Sequence, residues 1–261
     1  MGFHRPLGKT GIVVPAIGLG TVKIGRDQQV KYPVPFEIPG DEEVVDLLTA
    51  AKSLGVNLID TAPAYGISET RIGALLPGVR EEWILSTKVG EEFVDGQSHF
   101  DFSAAHTRMS IERSLQRLRT TYLDIVLIHS DGRDVELLQD GGVLGELQQC
   151  RDEGLIRAIG ISSKTLDGGL CAIELGCDAV MVMHNPWYTD EFAVLARAAE
   201  AGVGVLLKKA FGSGHFGAAS GSPDEAIRFN LSERAVSSMI VGTLNTRHLQ
   251  ENVATAKSCT A

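Results

Sequence analysis

Eight short apolar runs, each followed by a helix-like stretch, recur along this chain about every 30 residues, the length of one strand-plus-helix unit. The runs occupy residues 16–21, 56–62, 83–89, 123–129, 156–162, 179–184, 203–208 and 238–243. None alternates strictly between apolar and polar, as expected of a parallel sheet covered by helices. Helix signals fill the gaps. Asp41 opens the first helix and Gly55 stops it; Ser103 opens a long amphipathic one, and Gly154, Gly176 and Gly202 end others. No linker or shift of composition divides the series. It therefore predicts an α/β fold, a single (β/α)8 TIM barrel over 16–257 within one domain, 1–261. Residues 1–15, with Gly8, Gly11 and the Ile12-Val13-Val14 run, read as an N-terminal β-hairpin capping one end, and 258–261 as a tail. An open doubly wound sheet would want a Gly-x-Gly-x-x-Gly turn after the first strand, and none follows it.

Charge and cysteine usage narrow the partners. A net charge of -9 argues against nucleic acid or an anionic membrane surface, while leaving room for a local basic pocket around a phosphorylated cofactor. No apolar run reaches the roughly 20 residues that span a bilayer, and the first residues lack the apolar core of a secretory signal. Cys150, Cys171, Cys177 and Cys259 show no Cys-x-x-Cys spacing, and the first three fall in expected helices, so thiols rather than bridges are expected. No His/Cys cluster has metal spacing. The compartment these features favour is the cytoplasm.

Chemistry gathers at three strand ends. In the segment 58–75, Asp60 interrupts an apolar strand, Tyr65 follows on a Gly-marked turn, and Ser68 reads as the N-cap of the next helix. Lys88 closes the third strand and His129 the fourth. A parallel barrel gathers such ends at one mouth. A phenol with a pKa near 10 is a poor acid at neutral pH. A neighbouring ammonium favours phenolate and makes proton donation to a developing alkoxide feasible. Asp60 would hold Lys88 charged, and His129 would hydrogen-bond and orient a substrate carbonyl. Lys88 could instead pair at the barrel rim, and His129 could be a buried structural imidazole.

The run Asp60-Thr-Ala-x-x-Tyr65-Gly-x-Ser68-Glu69 resembles the aldo-keto reductase signature. Lys88, His129 and the strand Ile156-Arg-Ala-Ile-Gly-Ile-Ser162-Ser163 match the same family in order, and the likeness runs from Arg5 to Asn252. It implies an NADP- or NAD-dependent oxidoreductase, NADP slightly ahead, interconverting a carbonyl and an alcohol. Its catalytic set would be Asp60, Tyr65, Lys88 and His129. For the cofactor it implies Ser162 and Ser163 at the carboxamide, Gly20, Thr21 and Asp60 around the ring, and the loop Phe211-Gly212-Ser213-Gly214 over the pyrophosphate. The segment with Gly242, Thr243 and Asn245, leading to Glu251 and Asn252, would take the adenosine phosphates. Three positions depart from the family pattern. Met181 stands where many members present Gln, Lys208 replaces an aromatic expected to stack on nicotinamide, and Gly242 and His248 replace basic partners of a 2′-phosphate. Arg247 and Lys208 or Lys209 are the candidates to take over that last role.

Loops 23–40, 90–101 and 131–142 would shape the substrate pocket, with Tyr32, Phe36, Phe93 and Trp187 as candidate walls. The chain ends soon after its last helix, without the long C-terminal loop that many relatives use for substrate selection. Two other readings stay open: a Schiff-base barrel using Lys88, Lys208 or Lys209, and a non-catalytic nicotinamide-binding regulator.

Overall fold

The computed structural model describes residues 2–214 and 221–260. An antiparallel hairpin comes first, β1 (His4–Pro6) against β2 (Val13–Pro15). Eight parallel strands then close a barrel: β3 (Ile17–Gly20), β4 (Leu58–Asp60), β5 (Ile84–Val89), β8 (Leu123–His129), β9 (Ile156–Ser162), β10 (Ala179–Met183), β11 (Gly204–Lys208) and β12 (Val236–Val241), the last pairing back onto β3. A second hairpin, β6 (Glu91–Val94) with β7 (Gln97–Phe100), leaves the barrel directly after β5.

Around the barrel run α1 (Asp41–Leu54), α2 (Ser68–Leu75), α3 (Ala104–Arg117), α4 (Asp134–Gln139), α5 (Gly142–Asp152), α6 (Leu166–Glu174), α7 (Phe192–Ala201), α8 (Pro223–Ser232) and α9 (Thr246–Thr260). Two apolar cores result. The larger lies between helices and barrel, where Leu48 and Ile72 meet Ile59 and Leu85. The smaller fills the barrel itself, and the N-terminal hairpin contributes Leu7, Ile12 and Val14 to it, beside Leu58, Ile125 and Leu206. Buried Arg5 ties the hairpin to the wall through Nη1 to the Val236 carbonyl at 2.8 Å. The hairpin thus plugs the N-terminal end, and only the C-terminal mouth is left for chemistry.

Several element boundaries differ from the sequence expectation. Ser68 is the first helical residue rather than the cap, which is Ile67. Its hydroxyl instead donates to Thr21 Oγ1 at 2.8 Å and lies 3.0 Å from Thr61 Oγ1, joining the β3 and β4 ends. Gly40, not Asp41, caps α1, its N–H donating to the Glu43 carboxylate at 2.8 Å. Cys177 lies just beyond α6 rather than within a helix; all four cysteines are free. α9 runs on through Thr260, so 258–260 are helical rather than a tail, and Ala261 lies outside the described residues. The 90–101 stretch is the β6–β7 hairpin, turned by Asp95 and Gly96 with φ of 51° and 77°, the Asp-Gly turn that hairpins favour. No helix among the described residues is long and apolar enough to cross a membrane.

Candidate active site

Register explains how distant residues meet. Asp60 pairs with Ser86 across β4 and β5, and His129 pairs with Ser162 across β8 and β9. Between them Lys88 rises from the end of β5, about 1 % exposed. Its Nζ donates to Asp60 Oδ2 at 2.8 Å and to the Thr61 carbonyl at 2.8 Å. Ser86 Oγ donates to the other Asp60 oxygen at 2.9 Å, so the carboxylate is held on both sides. Tyr65 comes from the turn Pro63–Tyr65 and keeps part of its surface open to the cavity. The Lys88 ammonium sits 4.8 Å from its ring centre, where its charge favours the phenolate. His129 meets the Tyr65 ring edge-on, centroids 6.1 Å apart. These four residues, expected together from sequence, lie at the floor of one cavity of about 1180 Å³.

The electrostatics correct one expectation. Burial pushes the Tyr65 phenol above its ordinary 10.0, and this outweighs the lowering from Lys88, with Asp60 adding to the rise. The Tyr65 phenol thus stays protonated at neutral pH rather than being tuned downward. Burial alone would lower Lys88, but Asp60 and Tyr65 together raise it, so the ammonium is retained. Burial lowers His129 against the opposing pull of Glu91, leaving the imidazole neutral at pH 7.

The same cavity extends along residues expected at the cofactor. Gly20, Thr21, Ser162, Ser163, Lys208, Phe211, Ser213, Gly214, Gly242, Thr243, Glu251 and Asn252 all line it. Ser163 Oγ is buried there without a protein partner, which fits a polar group such as a carboxamide arriving from the cavity. Ser162 Oγ is already engaged, accepting from Lys208 Nζ at 2.9 Å, and the same ammonium donates to the Ser163 carbonyl. Burial lowers Lys208 to about 7, with Glu191 opposing and Lys209 reinforcing the shift. Met181 lines the wall as well. Three expected positions stand apart from the lining. Gly212 only carries the turn between Phe211 and Gly214. Asn245 caps α9, its Oδ1 accepting from the Arg247 and His248 N–H groups at 2.9 and 3.3 Å. Arg247 points outward, 82 % exposed, and pairs with Glu251 at 2.9 Å.

Sequence reading missed several groups. Glu91, the first residue of β6, reaches into the cavity and brings Oε2 to 2.8 Å from His129 Nδ1. Lys23, Arg26 and Glu191 line the cavity too. The Asp95-Gly96 turn was the available signal for Glu91, since it marks a hairpin hung from the end of the strand that carries Lys88. Of the candidate walls, Tyr32 lines the cavity under Lys23, whose ammonium is 4.0 Å from its ring centre. Phe36 packs behind Tyr32 at 5.6 Å, and Phe93 is covered by Arg26 at 3.4 Å. Trp187 abuts Gly221. The 23–40 loop bends over the mouth: a Cβ on Gly242 would lie 2.9 Å from Tyr32 Oη, and one on Gly214 would lie 3.2 Å from Pro33.

Comparison with known proteins supplies the family. L-galactose dehydrogenase of Arabidopsis thaliana is 28% identical over 96% of this chain and 86% of its own length. A D-threo-aldose 1-dehydrogenase of a Pseudomonas species is 30% identical over 78% of this chain and 68% of its own. A Pseudomonas aeruginosa crystal structure, assigned provisionally to the aldo-keto reductases, is 48% identical and superposes with a TM-score of 0.90, covering 99% of this chain and 95% of that one. The aldo/keto reductase family model matches residues 16–224, from the first barrel strand past the cavity's last glycine loop. A match of that extent places this chain in the aldo/keto reductase family of oxidoreductases.

Proposed function

We propose that this chain interconverts an aldehyde or ketone and its alcohol, using NADP or NAD, with Tyr65 giving or taking the proton. The observation that carries the proposal is Lys88, buried, bonded to Asp60 and set 4.8 Å from the Tyr65 ring centre beneath an open cavity. A nicotinamide dinucleotide, when bound, supplies or accepts the hydride. Ser162, Ser163 and Lys208 would hold its carboxamide end, the turn 211–214 its pyrophosphate, and residues 242–245 with Asn252 its adenosine end. Lys208 takes the place of both the stacking aromatic and the absent Gln as the polar contact beside Ser163. Asp60 fixes Lys88, Lys88 holds the phenol, and His129 orients the substrate oxygen. Tyr65 then moves one proton at that oxygen, which is general acid–base work. Four free cysteines suit a cytoplasmic setting. The relatives named as sugar dehydrogenases make aldoses the first substrates to try.

The test is a titration of the purified chain with NADPH and NADH, followed by a panel of aldoses, aldehydes and alcohols. Saturable binding of at least one cofactor is expected; no signal with either would remove the enzyme reading. Arg247 is spent on Glu251 at the surface, so an NADP preference below about tenfold is expected. One lost charge-assisted contact, about 1.5–3 kcal/mol, flattens a larger one. A preference above about a thousandfold would mean that Lys209 or Arg247 swings onto the 2′-phosphate.

One observation favours a second reading. Lys208, held near pKa 7 by burial, has the protonation state of a Schiff-base amine, whereas Lys88 is locked as an ammonium. Borohydride in the presence of an aldehyde substrate should leave the protein mass unchanged. A stable adduct mapped to Lys208 would favour Schiff-base chemistry instead.

A further inference from the structure

We propose that Glu91 is a positioning residue of this site: it takes the Nδ1 proton of His129, so that the neutral imidazole offers the substrate only the lone pair of Nε2. The proposal deepens the carbonyl–alcohol reading above and rests on it for the kinetic outcome alone. Glu91 Oε2 lies 2.8 Å from His129 Nδ1. The contact is bent, because Nδ1 is buried without a well-aligned partner. Misaligned contacts of this kind are common in catalytic sites without ligand and tighten on binding. A buried ring nitrogen needs a partner, and Glu91 is the carboxylate placed to serve it.

Glu91 is itself held. Ser98 Oγ, from the facing strand β7, donates to Oε1 at 2.6 Å. The register Glu91↔Phe100 fixes the hairpin on which both stand. Burial works against the charged carboxylate, yet His129, Ser98 and Arg26 together hold it at about 2. The pair therefore shares one proton at neutral pH, and that proton sits on Nδ1. The other charged groups facing His129 are Lys88 from β5 and Lys208 from β11, both of which disfavour a second proton, and Tyr65 packs edge-on. Arg26 faces Glu91 rather than the imidazole.

The consequence is chemical. A neutral imidazole carries a single N–H. With that hydrogen committed to Glu91, Nε2 accepts a hydrogen bond from an alcohol O–H but has nothing to give a carbonyl oxygen. Only the imidazolium donates to a carbonyl. His129 thus recognises the alcohol when neutral and the carbonyl when charged, and Glu91 sets both which nitrogen holds the first proton and how readily the second arrives.

The test begins without turnover. In cofactor-free protein labelled with 15N-histidine, and with His129→Asn assigning the resonance, the neutral form should show the proton on Nδ1. Glu91→Ala should move it to Nε2. Glu91→Gln keeps an acceptor but loses the charge, so the His129 midpoint should fall by about one unit or more, as when an opposite charge within 4–6 Å is removed. Glu91→Asp should restore part of that shift. In the kinetic arm, the acid limb of alcohol oxidation should move down in Glu91→Gln by the shift seen in the spectra. A wild-type proton on Nε2, or a midpoint unmoved by Glu91→Gln, would overturn the proposal. If no alcohol is oxidised at all, the functional reading fails while the spectra still decide the Glu91–His129 pairing. Ser98→Ala, which leaves Glu91 in place, gives a folded check should the Glu91 variants prove unstable, and should shift the midpoint in the same direction by less.

Discussion

Tyr65→Phe should lower turnover by roughly 10²–10⁴-fold, the usual worth of general acid–base catalysis, while cofactor affinity stays within about threefold. Only the phenolic oxygen is removed, and no other member of the set loses a buried partner it depends on: Lys88 keeps Asp60 and the Thr61 carbonyl. The wild type carries a second signature. Because burial raises the phenol above 10.0, the difference in tyrosinate absorbance between wild type and Tyr65→Phe should develop only above that pH. Carbonyl reduction, which needs the protonated phenol, should therefore keep its acid across the neutral range. Alcohol oxidation, which needs phenolate, should climb with pH over the same span. If the variant keeps more than about a tenth of wild-type turnover, the proton comes from elsewhere, and His129 is the next candidate.

Lys88→Met should damage both stability and rate. Lys88 and Asp60 are about 1 % and 3 % exposed, so the variant strands a carboxylate whose remaining partner is the Ser86 hydroxyl. Breaking a buried pair from one side costs about 3–5 kcal/mol, a large part of a typical domain's stability. Urea unfolding should show the loss as a lower midpoint at unchanged slope. Adding Asp60→Asn removes the stranded charge, and the double variant should recover at least about 1 kcal/mol over Lys88→Met, as coupled neighbours do. Both should be nearly inactive, since the phenol no longer has an ammonium beside it. A Lys88→Met protein within about 1 kcal/mol of wild type would mean that Asp60 finds other partners in the cavity.

Some of this protein was written in its sequence. The βα recurrence, the hairpin glycines and the residues Asp60, Tyr65, Lys88 and His129 depend on local pattern and short motifs, which survive without tertiary context. A strand end in a parallel barrel has one destination, so placing Lys88 and His129 at strand ends was enough to bring them together. Other features needed the folded chain. Whether burial or Lys88 governs the Tyr65 phenol is a balance of desolvation against charge, and neither term has a sequence signature. Arg247 and Lys208 both looked like cations available to a phosphate. Only the packing sends the first outward to Glu251 and ties the second to Ser162. Glu91 stayed hidden for the same reason. It stands in a stretch that reads as a loop, and its reach to His129 depends on a hairpin whose path is set by the barrel beneath it.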